Sequence, residues 1–314
     1  LHYPLRRQRQ MCIRDSVVGT IHHPITMDKR IDIKHAETLS LKVLKWRWYS
    51  FLKMQIKVAR KLDPIIVVSE NTRKDVVKDF KIDPKKTRKV LHGIDHKTFE
   101  PIPSIKRKKN QLITTASADV PLKGLIYLIR AYSDLLKEFP DLSLVVIGKL
   151  RDGPTSKELD KKGIKGKVKF ISDLTSREIA ELYAESTIAV SPSVYEGFGF
   201  PAGEAMSCGI PLISTNGGSL PEVVGDSGII VPHSNPNELQ KAIKELLLSP
   251  EKREEFSKKG RNRVLKKFTW KRAAKELVDI YKEAISNADN RPVSYTHLRA
   301  HETEADLVCR LLLE

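Results

Sequence analysis

Two carboxylates, Glu196 and Glu204, flank the glycine-rich run Gly197-Phe198-Gly199-Phe200-Pro201-Ala202-Gly203, with seven residues between them. The run follows a strand-like stretch ending at Val190 and leads into a helix-like one from Glu204 to Cys208. Glycines let a backbone approach a ligand closely, and amides at a helix N-terminus favour phosphate. A carboxylate beside that point can grip a hydroxyl pair such as a ribose diol. The plainer reading is a loop whose glycines serve turns and whose Glu204 caps a helix; loop composition alone does not choose between them.

A second candidate is Ala118-Asp119-Val120-Pro121-Leu122-Lys123-Gly124, between a predicted strand and a predicted helix. Lys123 there could neutralise the charge on a leaving diphosphate, or be a solvated surface cation. His22 and His23 follow an early strand and precede Pro24, where they either hydrogen-bond a sugar hydroxyl or form a structural His-Pro turn; His23 is the favoured one. No Asp-x-Asp pair sits in a suitable loop, so metal-independent chemistry is expected.

These groups need a scaffold that brings distant loops together. Short β-branched runs alternate with helical patterns, which predicts βα units on a parallel sheet and an α/β class. Strands are expected at Val17 to Ile21, Ile65 to Val68, Leu112 to Thr115, Leu142 to Ile147, Val168 to Ile171, Ile188 to Val190 and Pro211 to Ser214. Helices are expected at Leu41 to Leu62, after Ser69 with Asn71 as cap, and at Leu125 to Phe139, Glu178 to Ala184, Asn237 to Leu248 and Trp270 to Ile285. The helix from Leu41 mixes lysine with tryptophan and reads first as a core helix with a solvated lysine face, second as an anionic-membrane contact. The linker is placed at 101–110, which holds two prolines and four basic residues.

At 314 residues the chain is long enough for two α/β domains. With 40% hydrophobic and 30% charged residues it is globular, and its net charge of +17 favours anionic partners. No apolar run approaches the roughly 20 residues of a bilayer span. The three cysteines, Cys12, Cys208 and Cys309, show no framework spacing, which points to a reducing, cytoplasmic compartment. Residues 1–16 and 287–314 contain stretches, Gln10 to Ser16 and Pro292 to Thr303, that resemble translated sequencing adapters. They are read as non-native tails, which removes Cys12, Cys309 and the zinc-like His297 and His301 from consideration.

The stretch Glu196 through Glu204 resembles the E-x7-E signature of retaining GT-B glycosyltransferases, family four. Ala205 to Thr215 and Gly217 to Val224 are similar to the helix, strand and loop that follow in that family. The resemblance covers nearly everything from Val17 to Ile285. It implies two Rossmann-like domains facing a cleft: an incomplete acceptor domain at 17–100, and a donor domain at 111–286 whose last helix, about 270–286, crosses back. It also implies a nucleotide-sugar donor, a glycan or glycolipid acceptor, no cofactor, and transfer with retention; the anionic-membrane reading of the basic helix from Leu41 would place such an enzyme peripherally at the inner face of a membrane. By resemblance Glu196 lies at the transferred sugar, Glu204 at the ribose, and Gly197, Phe198 and Gly199 against the sugar and diphosphate. The arginine that the family commonly carries ahead of its lysine is absent near Ala118, leaving Lys149 or Arg151 as substitutes. A missing N-terminal βα unit predicts weak nucleotide binding and poor turnover. A GT-B epimerase or glycan phosphorylase is the alternative within enzymes. A nucleic-acid-binding protein, suggested by charge, is opposed by the lack of any recognition module.

Overall fold

The computed structural model describes residues 17–116 and 120–289; Ala118 and both adapter-like tails lie outside the described residues. The chain builds two separate parallel sheets. The first holds β1 (Gly19–Ile21), β2 (Ile65–Val67) and β3 (Thr87–Lys89) in that order. Between β1 and β2 run α1 (Ile25–Lys34), α2 (Leu39–Trp48) and α3 (Leu52–Ala59), and α4 (Glu70–Phe80) crosses from β2 to β3. Parallel neighbours require such crossovers. β2 is apolar at every position because both its faces are covered. Ile65 and Val67 pack with Val76 and Phe80 of α4, while Ile66 faces the other side.

The second sheet takes its strands from β4 (Gln111–Thr115), β5 (Ser143–Ile147), β6 (Val168–Ile171), β7 (Ile188–Ser191), β8 (Leu212–Thr215) and β9 (Ile229–Val231), in the order β6-β5-β4-β7-β8-β9. Connecting them are α5 (Leu125–Leu135), α6 (Pro154–Lys162), α7 (Ser176–Glu185), α8 (Phe200–Ser207) and α9 (Leu220–Val224). α10 (Pro236–Leu248), α11 (Pro250–Lys267) and α12 (Trp270–Asp289) follow. Alternation along β5 sends Leu144 and Val146 into a core with α5 and α10, and Val145 and Ile147 into one with α7, α8 and α9. α5 forms where apolar residues recur at helical spacing, and it buries Leu125, Leu128, Ile129, Tyr132 and Leu135. The strand order reverses between β4 and β7, the place where an open α/β sheet leaves a crevice for ligands.

The two halves are stitched together. Ala273 and Ile280 of α12 pack against Ile66 and Val90. The Ile94 amide donates to the Phe268 carbonyl at 2.8 Å. The chain between β3 and β4 lies along the second half, where Arg107 donates to the Gly209 carbonyl at 2.6 Å.

Three local expectations are corrected. The single helix expected from Leu41 to Leu62 is two helices broken by a 3-10 turn at Tyr49–Phe51. It is not a core helix in its first part: α2 buries no residue, and Leu44, Trp46 and Trp48 stand exposed. A lysine-interrupted apolar face resembles a core stripe in sequence whether or not anything covers it. The cap of α4 is Ser69 rather than Asn71, with the Thr72 amide donating to Ser69 Oγ at 3.0 Å.

Phe268 is fully buried, between Phe198 and the joint with Ile94. Phe268→Ala is expected to cost about 3–5 kcal/mol in urea-induced unfolding.

Candidate active site

The two loops at the strand-order reversal touch backbone to backbone. Val194 donates its amide to the Leu122 carbonyl at 2.8 Å. Gly124 has φ +62°, and a Cβ there would lie 2.1 Å from the Pro192 carbonyl oxygen, so the approach tolerates no side chain. The contact brings Lys123, at the end of a 3-10 turn, to Glu196: Nζ lies 2.7 Å from Oε1. Ser193 Oγ donates to the same oxygen at 2.7 Å. Oε2 of Glu196 has no protein donor among the described residues.

Glu196 also has a fixed backbone. Its carbonyl accepts from the Ser219 amide at 2.9 Å and from Ser219 Oγ at 3.0 Å. Gly218, at φ +62°, lets the chain pass within 2.2 Å of that carbonyl at its notional Cβ.

Glu204 does not cap its helix. It sits inside α8, whose cap is Gly199, with no side-chain cap bond. Among the described residues its carboxylate has no hydrogen-bond donor, and burial pushes its pKa from 4.5 up to about 7. The amides of Gly197, Phe198 and Gly199 likewise donate to no protein acceptor among the described residues. Free amides ahead of α8 beside an unpartnered carboxylate form a cradle with vacant donors and acceptors.

Phe198 is buried, with its ring against Phe200 at 5.2 Å and Phe268 at 5.8 Å. Its side chain therefore anchors the loop, leaving its backbone to the cleft. Gly197 passes beneath the first half of the chain, its notional Cβ 2.2 Å from the His22 carbonyl oxygen. His23 lies across the junction from the loop, Nε2 2.7 Å from Asp28 Oδ1 and its ring edge-on to Tyr195 at 5.2 Å. His22 stacks on His92, with Nδ1 3.0 Å from Nε2. His92 is lowered to about pKa 4, by burial first and by His22 second, so it stays neutral at ordinary pH.

Lys149 is 3.0 Å from Asp173 at the exposed end of the second sheet, and Arg151 is exposed. Residues the sequence did not single out include Ser193, His92 and Asp28. Ser193 stood three residues beyond the predicted strand end at Val190, a usable signal. The other two acquire meaning only through partners from other elements. Among the described residues no group of three or more His, Cys, Asp or Glu could hold a metal ion, and no helix is long and apolar enough to cross a membrane.

Two Rossmann-like α/β units, the second carrying the Lys123–Glu196 pair in its loops, define a two-lobed α/β protein. The chain belongs to the glycosyl transferases group 1 family, whose model matches residues 97–263. It is 38% identical over 86% of its length to the MMP alpha-(1->4)-mannosyltransferase of Mycolicibacterium hassiacum, covering 66% of that protein. It is 27% identical over 73% of its length to the D-inositol 3-phosphate glycosyltransferase of Saccharomonospora viridis, covering 58% of it. The chain thus spans less than two thirds of either relative. Its fold is shared with sucrose-phosphate synthase from Thermosynechococcus elongatus, with a TM-score of 0.70 and 21% identity over 86% of this chain and 68% of that one. Anabaena HepE, crystallised with UDP and glucose, gives a TM-score of 0.71 at 18% identity over 86% of this chain and 72% of that one. The fold is GT-B.

The Glu204 carboxyl has a stability consequence. Between pH 4.5 and about 7 the folded chain holds a proton that the unfolded chain has released. Stability therefore falls as pH rises through that window, and above it the charged carboxylate costs on the order of 3 kcal/mol. Glu204→Gln is expected to raise the urea midpoint at pH 8 and to leave it nearly unchanged at pH 4. An equal gain at both values would refute this.

Proposed function

We propose that the chain forms the donor site and part of the acceptor side of a retaining glycosyltransferase, moving a sugar from a nucleoside-diphosphate sugar to a hydroxyl of a glycan or glycolipid. The observation that carries the reading is the Lys123–Glu196 pair at the strand-order reversal, in the loop that runs through amides without acceptors among the described residues into α8 and Glu204.

On this reading Glu204 accepts hydroxyls from the ribose, and the Phe198 and Gly199 amides meet the diphosphate and sugar. The bond between the sugar anomeric carbon and the diphosphate oxygen breaks, and Lys123 offsets the charge gathering on the departing group. The acceptor hydroxyl attacks from the same face, its proton passing to the departing diphosphate oxygen, and configuration is retained. Glu196 stabilises the positive charge developing on the sugar and forms no covalent bond. His23, held by Asp28, contacts a sugar hydroxyl. Transfer needs no divalent metal.

Incubation with a panel of nucleoside-diphosphate sugars and hydroxyl acceptors in the presence of chelator tests the reading, with anomeric configuration read by NMR. The wild type is expected to give an α-linked product from an α-linked donor. Lys123→Ala and Glu196→Gln are each expected to lower the rate about a hundredfold or more. Release of free epimerised sugar or sugar phosphate would instead identify the epimerase or phosphorylase alternative.

The exposed surface of α2 and α3 supports an enzyme bound peripherally at a membrane surface. Residues 39–61 carry seven cations and no carboxylate, and Leu39, Leu44, Trp46, Trp48 and Met54 of that segment are exposed. Tryptophan at the interface with cations against anionic headgroups is the composition of a peripheral contact. Sedimentation with vesicles should show binding with 30% anionic lipid, about tenfold weaker binding for Trp46→Ala/Trp48→Ala, and loss at high salt. Equal partitioning onto neutral and anionic vesicles would end the idea.

A further inference from the structure

We infer that one polar face of α4, in the first half of the chain, is the positioning element that holds Glu196 of the second half; this rests on the donor-site reading above. Ser69, Thr72 and Asp75 are spaced three residues apart, so they share one face of the helix beginning at Ser69. Ser69 and Thr72 are fully buried, and both hydroxyls reach the Gly197 carbonyl, at 2.9 Å and 3.1 Å. Ser69 Oγ also lies 3.0 Å from Thr72 Oγ1, so its single proton serves either Thr72 or the carbonyl, while the Thr72 hydroxyl donates to the Gly197 carbonyl in both arrangements. On the other side of Glu196, the Tyr195 hydroxyl donates to Asp75 Oδ2 at 2.6 Å, and Asn71 Nδ2 donates to the Tyr195 oxygen at 3.2 Å.

The residues before and after Glu196 are thus both tied to α4, while its own carbonyl is tied to Ser219. The peptide between Gly197 and Phe198 is planar and trans, so a carbonyl aimed at α4 points the Phe198 amide the opposite way. That amide is one of the free donors of the cradle. The first half therefore sets two things in the second: where the Glu196 carboxylate points, and where the Phe198 amide points. Loss of the α4 bonds leaves the nucleotide-binding elements, Glu204 and α8, in place, and frees the loop that orients the sugar.

The near-isosteric variants Thr72→Val and Tyr195→Phe, alone and combined in the full chain, test this, because each removes one hydroxyl from one side of Glu196. The double variant is expected to lower kcat about 10- to 100-fold, since reacting groups lose their fixed orientation. The Kd for a nucleoside diphosphate, measured by calorimetry, is expected to weaken by no more than about fivefold, well short of the fall in kcat, because the Phe198 amide is one of several groups at the diphosphate. Thr72→Ser, which keeps the hydroxyl, is expected to stay within about twofold of wild type in kcat. Amide exchange at Ser219, which donates to the Glu196 carbonyl, is expected to quicken about tenfold, while that of Ala189 in β7 stays unchanged. A double variant with wild-type kcat, a Kd that weakens in step with kcat, or unchanged Ser219 exchange would overturn the inference. If the wild-type chain shows neither transfer nor donor hydrolysis, the donor-site reading falls, and the exchange at Ser219 alone decides whether α4 holds the loop.

Discussion

The backbone contact between the loops after β4 and β7 carries the rest of the site. Val194 bonds the Leu122 carbonyl, Gly124 slides under Pro192, and only then does Lys123 come within 2.7 Å of Glu196. A Cβ at Gly124 would push the loops apart and leave a half-buried lysine and a mostly buried glutamate without each other, the most costly way to break such a pair. The same loop is capped from above by Ser219 and approached from the first half by His22, Ser69 and Thr72. The site is therefore a joint, and its geometry is shared between two sheets that have no strand in common.

Charge is distributed unevenly in its consequences. Most of the ion pairs, such as Lys241–Glu238 and Lys258–Glu254, join exposed side chains and contribute little. The two glutamates of the cradle are treated differently by the fold. Glu196 shares one oxygen with Lys123 and Ser193, while Glu204 is half-buried and has no donor among the described residues. A fold that tolerates an unsatisfied carboxyl sacrifices stability at the point where a hydroxyl-bearing ligand would supply the missing donors.

Much of the second half was legible. β4 to β8, α5, α7, α10 and α12 announce themselves by apolar runs or by helical spacing, and the Glu196 to Glu204 segment stood out by its glycines and paired carboxylates. Other elements gave no such signal. α11 is eighteen residues long but buries only Gly260 and Val264, too thin a stripe for periodicity to register. β3 is Thr-Arg-Lys, polar because it lies at the edge of its sheet. α2 failed in the opposite sense, since its lysines and tryptophans look amphipathic while its contact with α1 leaves none of its residues buried.

By itself the sequence determined the class of fold, the two loops in which chemistry could reside, and the identities of Glu196, Glu204 and Lys123, because those depend on local composition and on order along the chain. Tertiary structure alone decided what each group faces. Lys123 and Glu196 are 73 residues apart, and Ser69 and Gly197 are 128 apart. Contacts at such separations are made when two sheets and their crossovers pack, and no local pattern of residue types records which loop meets which. The same holds for Glu204, whose position was plain in the sequence. Its high pKa comes from the bulk of α8 and its neighbours excluding water, and that exclusion exists only in the folded chain.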